Sequence, residues 1–309
     1  MIDLKKIKTY PLRERVHKIR NDEFASICKK GGDFKDFYNS LPMVLAAKGL
    51  KGLVDSILAA KKKGKPVLFM MGAHVIKCGL NPVIIDLIEK KVITAIALNG
   101  AGIIHDFEIA FVGGTSEDVS ESIEDGSFGM SYETGMLLNK AIKEGAKKNL
   151  GIGRSVGEML AKGRFPYKKD SILYNGIKNR IPVTVHVAIG TDIIHQHPSC
   201  DGASIGKGSL KDFHNLVSTV AKLGDGGVVL NIGSAVILPE VFLKALSVAR
   251  NLKFRVKDFT TANLDMINHY RPRVNVLERP TASGGRKYSI IGHHEIMLPL
   301  VARAIIEGL

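Results

Sequence analysis

Three short apolar runs in this chain each end in a small polar knot containing glycine and then pass into a helix-like segment. They are residues 67–71 before Gly72-Ala73-His74, 94–98 before Asn99-Gly100-Ala101-Gly102, and 228–230 before Asn231-Ile232-Gly233-Ser234. A continuous apolar run marks a strand buried on both faces, and parallel strands need crossover helices between them. The pattern predicts an α/β fold with mostly parallel strands. Its ligand site is expected at the strand carboxyl ends, where helix starts present backbone N–H groups.

The remaining punctuation extends this frame. Helices are predicted over 43–63, closed by Gly64, and over 83–91, opened by Asn81-Pro82 where the missing proline N–H costs nothing. Further helices are expected over 102–112, 132–144, 155–161, 171–179, 210–223, 239–251 and about 294–307. Two more strands are expected at 183–189 and 254–260. Residues 113–131 are acidic and aperiodic, the mark of a functional or mobile loop. A long glycine-bearing loop is expected over 190–208. Residues 1–42 are charged and broken by Pro11 and Gly31-Gly32, and read as an N-terminal helical arm on a body spanning 43–309.

Composition narrows the classes. The chain has 309 residues, 45% of them hydrophobic, enough for a substantial core. No apolar run is long enough to cross a bilayer, so no membrane role is expected. Cys28, Cys78 and Cys200 make no disulfide framework, and the first residues lack a signal-peptide core, so a cytoplasmic location is the expectation. The net charge is +14, but the lysines are scattered, Trp is absent and aromatics are few. That reads as a solvated basic surface and not as a nucleic-acid platform.

Several motifs carry candidate chemistry. Gly151-Ile152-Gly153-Arg154-Ser155-Val156-Gly157 imitates a dinucleotide fingerprint, but a helix-like segment precedes it where a strand is required; a helix–helix turn is expected. Gly202-Ala203-Ser204-Ile205-Gly206-Lys207-Gly208 imitates a P-loop one residue short, with Gly208 in the Ser/Thr position. His105, Asp106 and Glu108 follow the second strand, with His105 and Glu108 on one helix face. They cap the helix or line a site as acid/base and substrate-binding groups. His195-Gln196-His197 with Asp192, Cys200 and Asp201 is the densest set of ligating groups; loop hydrogen bonding is preferred to metal binding, because no zinc spacing is met. His74, Lys77 and Cys78 follow the first strand, and Cys78 reads as a small buried thiol. Ser234 holds a ligand phosphate or caps a helix.

In its order of parts the chain resembles the deoxyhypusine synthase-like family over about residues 65–309. The carriers are Met71-Gly72-Ala73-His74-Val75-Ile76-Lys77-Cys78-Gly79, Asn99-Gly100-Ala101-Gly102, Asn179-Arg180-Ile181-Pro182-Val183, Asn231-Ile232-Gly233-Ser234, Thr260-Thr261-Ala262-Asn263 and Leu298-Pro299-Leu300-Val301-Ala302. The resemblance implies a Rossmann-like sheet with helices on both faces, NAD at the strand ends, and a homotetramer. An N-terminal segment covering the site opening would suit residues 1–40. On an NAD-binding reading Gly72, Asn99, Gly100, Gly102, Gly233, Ser234 and Thr261 are the candidate cofactor contacts, His105, Asp106 and His195 the candidate catalytic groups, and His74, Glu108 and Asp192 the candidate substrate contacts. The family's Trp-Gly-Lys lysine has no counterpart near Asn275–Pro280, so deoxyhypusine synthesis is not the expectation. What remains is an NAD-dependent transferase or oxidoreductase acting on a small polar substrate, an amine among the candidates. The competing readings are a metal-dependent hydrolase or lyase using His195, His197 and His293 or His294, and a non-catalytic nucleotide-binding protein.

Overall fold

The computed structural model describes residues 2–309. The N-terminal arm is not the helical segment expected. Up to residue 33 it is extended, interrupted by single 3-10 turns at Leu4–Lys6, Leu12–Glu14 and Asn21–Glu23. Its apolar residues find no surface to pack on within this chain, which leaves helix nucleation without an offset. Helix begins at α1 (Phe34–Ser40), capped by Asp33, and continues in α2 (Leu45–Lys62).

The body alternates strand and helix. Strand β1 (Val67–Met71) leads through α3 (His74–Lys77) and α4 (Asn81–Glu89) to β2 (Ala95–Asn99). Helices α5 (Gly100–Val112), α6 (Val119–Ser122), α7 (Tyr132–Lys147), α8 (Ile152–Lys162) and α9 (Ile172–Lys178) precede β3 (Val183–His186). Then come α10 (Gly202–Val220), β4 (Val228–Ile232), α11 (Ile237–Asn251) and β5 (Thr260–Asp265). A π-helical stretch (Pro272–Glu278), β6 (Arg286–Ile291) and α12 (His294–Glu307) close the chain.

The six strands form one parallel sheet in the order β3-β2-β1-β4-β5-β6. The chain lays down β1 to β3 in one direction, then returns to build β4 to β6 in the other. The reversal lies between β1 and β4, the place where open α/β sheets hold their ligands. Met71 pairs with both Leu98 and Ile232, and Ile232 with Leu264, so the strands end level.

Strand periodicity divides the core into two layers. Phe69, Met71, Ile96, Leu98, Leu230 and Ile232 face one layer, with α2, α5 and α12. Leu68, Met70, Ala97 and Val229 face the other, with α10, α11 and Val276-Leu277 of the π-helical stretch. Each large side chain buried this completely contributes about 1.5–3 kcal/mol relative to exposure.

The last strands lie elsewhere than expected. The strand assigned to 254–260 is a loop, and β5 begins at Thr260. Lys253 and Asp258 both have positive φ, and the Arg250 guanidinium pins the Val256 carbonyl at 2.9 and 3.1 Å, which holds the segment out of the ladder. Strand β6 escapes the pattern because it is an edge strand with mostly exposed positions and no apolar run. The loop expected over 190–208 ends early, since α10 starts at Gly202.

Candidate functional site

At the β1/β4 crossing the glycines bring two turns into contact. A Cβ on Gly72 would lie 2.2 Å from the Gly233 carbonyl oxygen, so this position admits no side chain. Gly233 has φ +64, and a Cβ there would lie 2.6 Å from His294 Nε2. His294, at the start of α12, is buried against the His74 ring, with centroids 5.9 Å apart. Burial lowers its pKa, while Asp265 at the end of β5 opposes the shift. Its Nδ1 has no hydrogen-bond partner. His74, Gly72, Gly233, Asp265 and His294 thus form one cluster over the sheet reversal.

The end of β2 supplies a second cluster. Asn99 caps α5, its Oδ1 accepting from Gly102 N at 3.1 Å. Gly100 leaves a niche filled by the Asp192 carboxylate: a Cβ there would stand 1.8 Å from Asp192 Oδ2. His195 Nδ1 accepts from Gly190 N (3.1 Å) and Asp192 N (3.3 Å), which puts the ring proton on Nε2. That Nε2–H faces Asp192 Oδ2 at 3.9 Å, with side chains only 5% and 6% exposed. Neither atom has a hydrogen-bond partner. Burial pushes Asp192 up to about 6 and lowers the His195 pKa. A buried donor and a buried acceptor separated by slightly more than one hydrogen bond suit a single hydroxyl that accepts from one and donates to the other.

A third cluster stands on α5. His105 Nδ1 lies 2.7 Å from Thr115 Oγ1, and Thr115 donates its own hydrogen to Glu108 Oε2. The imidazole proton is therefore on Nδ1, and Nε2 keeps its lone pair. Thr134 donates to the other Glu108 oxygen at 3.2 Å. Burial, then the neighbouring Lys77, lowers His105 to about 4, so it is neutral at pH 7. Thr115 belongs to the acidic loop, which also meets the histidine loop: the Gly129 carbonyl accepts from His197 Nε2 at 2.9 Å.

Other expected site residues lie elsewhere. Asp106 is fully buried and points away from these clusters. It accepts from Ser171 Oγ, Ile172 N (2.7 Å), Leu173 N (3.0 Å) and Asn81 Nδ2 (3.2 Å), holding the start of α9. Thr261 is the second residue of β5, buried opposite Val229 and Lys287, short of the carboxyl end. Ser234 caps inside the fold, its Oγ accepting from Leu238 N at 3.3 Å. The Cys78 thiol is raised by burial and then by Glu295, so it is no ready thiolate. Lys287 is exposed, early in β6. In the π-helical stretch and just after it, Val276, Leu277 and Pro280 are buried.

Both imitation motifs are structural. The amides at the start of α8 are occupied by the Asp212 carboxylate, whose Oδ2 accepts from Gly153 N and Val185 N, each at 2.9 Å. An internal carboxyl group takes the place a phosphate would need. Gly202–Gly208 forms the first turns of α10, opened by Asp201, which accepts from Ala203 N. His197 packs on Gly135, apart from His195, and among the described residues no three His, Cys, Asp or Glu side chains converge on a metal position. Sequence reasoning passed over Asp265, Thr115 and, outside the metal reading, His294. Asp265 was hidden by the misplaced strand and Thr115 by its aperiodic loop. His294 stands just beyond an edge strand that the sequence pattern does not show, so its place at a strand end could not be read.

The sheet order, with its reversal between β1 and β4, defines a Rossmann-like α/β fold. No family model matches the chain, and no curated protein matches it in sequence. Solved structures do match in fold. A putative deoxyhypusine synthase from Entamoeba histolytica superposes with a TM-score of 0.52 at 12% identity, covering 92% of this chain and 96% of that one. A putative LOR/SDH protein from Methanococcus maripaludis S2 gives 0.51 at 17% identity, over 91% and 72%. AgrE in ternary complex with ornithine and NAD+ gives 0.52 at 13%, over 85% and 34%. The chain spans about a third of the AgrE chain and 31% of ArgZ, an arginine dihydrolase from cyanobacteria. At these identities the likeness shows the fold, which is deoxyhypusine synthase-like. Among the described residues no helix is long and apolar enough to cross a membrane.

Proposed function

We propose that the chain is an enzyme that binds NAD along the carboxyl edge of the sheet and acts on a small polar substrate, with amines the first class to test. The observation that carries this reading is the pair of buried, unpartnered atoms at the end of β2, Asp192 Oδ2 and His195 Nε2. A carboxylate beside a strand end is the group that takes a ribose hydroxyl in dinucleotide sites, and helix-start amides suit a pyrophosphate. The residues present therefore fit the cofactor. Asn99, Gly100, Gly102 and Asp192 would hold it on one side of the reversal, Gly72 and Gly233 on the other. AgrE, of the same fold, has been captured with ornithine and NAD+, which supports both the cofactor and an amine substrate.

Bound NAD supplies hydride acceptance and return. The protein's part is positioning and proton movement. His105, neutral with its lone pair on Nε2, is the base. His195, neutral with its proton on Nε2, gives a hydrogen bond to the bound ligand and orients it. His74 and Glu108 line the substrate side. A homotetramer would suit this arrangement.

Titrating NAD+ to millimolar levels while following the melting temperature tests the reading. The wild-type protein is expected to melt at least 3 °C higher with ~100 Kd of ligand, since that occupancy adds about 2.7 kcal/mol. Asp192→Ala is expected to lose the shift and keep its fold. No shift in the wild type, or an undiminished one in Asp192→Ala, overturns the proposal.

A further inference from the structure

The amino ends of the strands form a face that the proposed NAD site does not use. The segments leading into β1 to β5, residues 61–65, 89–91, 178–180, 222–226 and 253–258, hold twelve lysines and arginines against three acids. These cations are scattered in sequence, but a parallel sheet brings every such segment to one edge. Contacts join them: Lys61 Nζ donates to Lys90 O at 2.6 Å, Lys65 Nζ to Gly224 O at 2.7 Å, and Asp225 N to Lys257 O at 2.9 Å. All three acids are ion-paired, Glu89 with Lys178 and both Asp225 and Asp258 with Arg255. Helix C-termini favour cations, which accounts for Lys61, Lys62 and Lys178 in the last turns of α2 and α9, but not for the cations of the loops. A face of one sign draws anions and repels a second copy of itself.

A cavity of about 700 Å³ opens in this face, between α8, α9 and α10 at the amino ends of β2 and β3. Arg154, Arg180 and Lys222 are its cations, and Glu158 and Asp212 its acids. Glu158 is matched by Arg154 at 2.8 Å and Lys162 at 3.3 Å. Asp212 is engaged with Gly153 N and Val185 N. Arg180 and Lys222 are exposed, and neither has an ion-pair or side-chain hydrogen-bond partner among the described residues. Arg180 is set in place by its backbone. It follows α9 with φ +57; its N–H donates to Ile177 O at 3.1 Å, and Ile181 N donates to Gly176 O at 3.0 Å. This is the Schellman termination, whose left-handed position ordinarily carries glycine or asparagine. Arginine bears strain there that those residues would not, and it brings a guanidinium to the cavity.

We propose that this cavity binds a small phosphorylated metabolite, Arg180 and Lys222 taking the phosphate and Ile177, Ile181 and Pro182 its apolar portion. Two cations without protein partners match a phosphate dianion better than a single carboxylate, and a guanidinium meets two phosphate oxygens at once. The volume lies within the range of small-molecule sites and well above what orthophosphate fills. A nucleic-acid backbone needs only a row of exposed cations and has no use for a walled cavity with an apolar side. The cavity stands at the opposite end of the strands from Asp192 and His195, so the inference does not rest on the NAD reading.

Calorimetric titration of the full-length protein with phenyl phosphate and with inorganic phosphate is the test. Phenyl phosphate is expected to saturate one site per chain and to bind at least fivefold tighter than inorganic phosphate. Arg180→Asn, which suits the left-handed turn, should lose at least tenfold in affinity with unchanged circular dichroism, and Lys222→Gln should lose a similar factor. Saturating NAD+ should leave the affinity unchanged. Absence of saturable binding up to about 10 mM overturns the inference. So does equal affinity for the two probes, which marks an adventitious ion only, or wild-type affinity in Arg180→Asn. Competition by NAD+ would put the probe in the dinucleotide site and overturn it as well. RNA or anionic vesicles occupying this face, with neither probe saturating, would do the same.

Discussion

Replacing Asp212 by asparagine should stabilise the protein at pH 8 and do little at pH 4. The carboxylate is almost wholly buried between α8 and β3, and burial raises its pKa to about 7 against the hydrogen bonds that favour its charge. An ordinary aspartate titrates near 3.8. Between about pH 4 and 7 the folded protein therefore holds a proton that the unfolded chain has released, and stability falls as pH rises through that window. At about 1.4 kcal/mol per unit, the ionised carboxylate costs on the order of 4 kcal/mol above pH 7. Asparagine removes this term and keeps the two bonds that one oxygen, Oδ2, accepts from Gly153 N and Val185 N, giving up only the weaker contact from Ile152 N. Its amide would meet Asn215, whose side chain can turn to present its own oxygen. Melting temperatures of wild type and Asp212→Asn across pH 4–8 are the assay. The advantage of the variant should grow with pH, by up to about 8 °C at roughly 2 °C per kcal/mol. Asp212→Ala, which leaves two buried N–H groups unpaired, should lose on the order of 2–5 kcal/mol at pH 4, and that loss should shrink as pH rises, because this variant also lacks the ionised carboxylate. A variant that loses ground as pH rises would show that the charged carboxylate is favoured in the fold and refute the reasoning.

Two further outcomes follow from the same buried groups. Asp106→Ala should cost on the order of 3 kcal/mol or more in urea unfolding, because Ser171 Oγ, Ile172 N, Leu173 N and Asn81 Nδ2 lose one acceptor together. The same variant should keep its NAD+-induced melting shift, and loss of that shift in a folded protein would return Asp106 to the site. Nitrogen-15 NMR of the imidazoles should find His105 neutral with its proton on Nδ1 down to about pH 4, and Thr115→Val should mix the two tautomers. A wild-type proton on Nε2 would remove the base assigned to that atom.

The parts of this fold that sequence reveals are those where periodicity and burial coincide. Residues 67–71 are apolar throughout because β1 is central and covered on both faces, and β1 lies where expected. Strand β6 is equally regular as backbone, but its edge position leaves most side chains in solvent, so composition carries no trace of it. The arm failed in the opposite sense: its charges look helical, yet nothing covers its apolar residues within one chain. Asp106 shows the limit for chemistry. Its spacing beside His105 and Glu108 suggests a shared site, but adjacent helical residues point in different directions, and Asp106 turns inward to α9.

The glycine knots place the site more reliably than they describe it. Gly72 is required by the Gly233 carbonyl, Gly233 by its positive φ and the His294 ring, and Gly100 by the Asp192 carboxylate. Each contact is between protein groups, so the glycines establish close approach across the reversal and not, by themselves, a phosphate. The chemistry lies in what that close approach carries inward. Asp192 descends onto the start of α5 and turns His195 Nε2 toward it, leaving a donor and an acceptor that no protein group satisfies. Buried polar atoms cost free energy when left unpaired, so a fold that holds two of them face to face is best accounted for by a ligand or water that pairs with both.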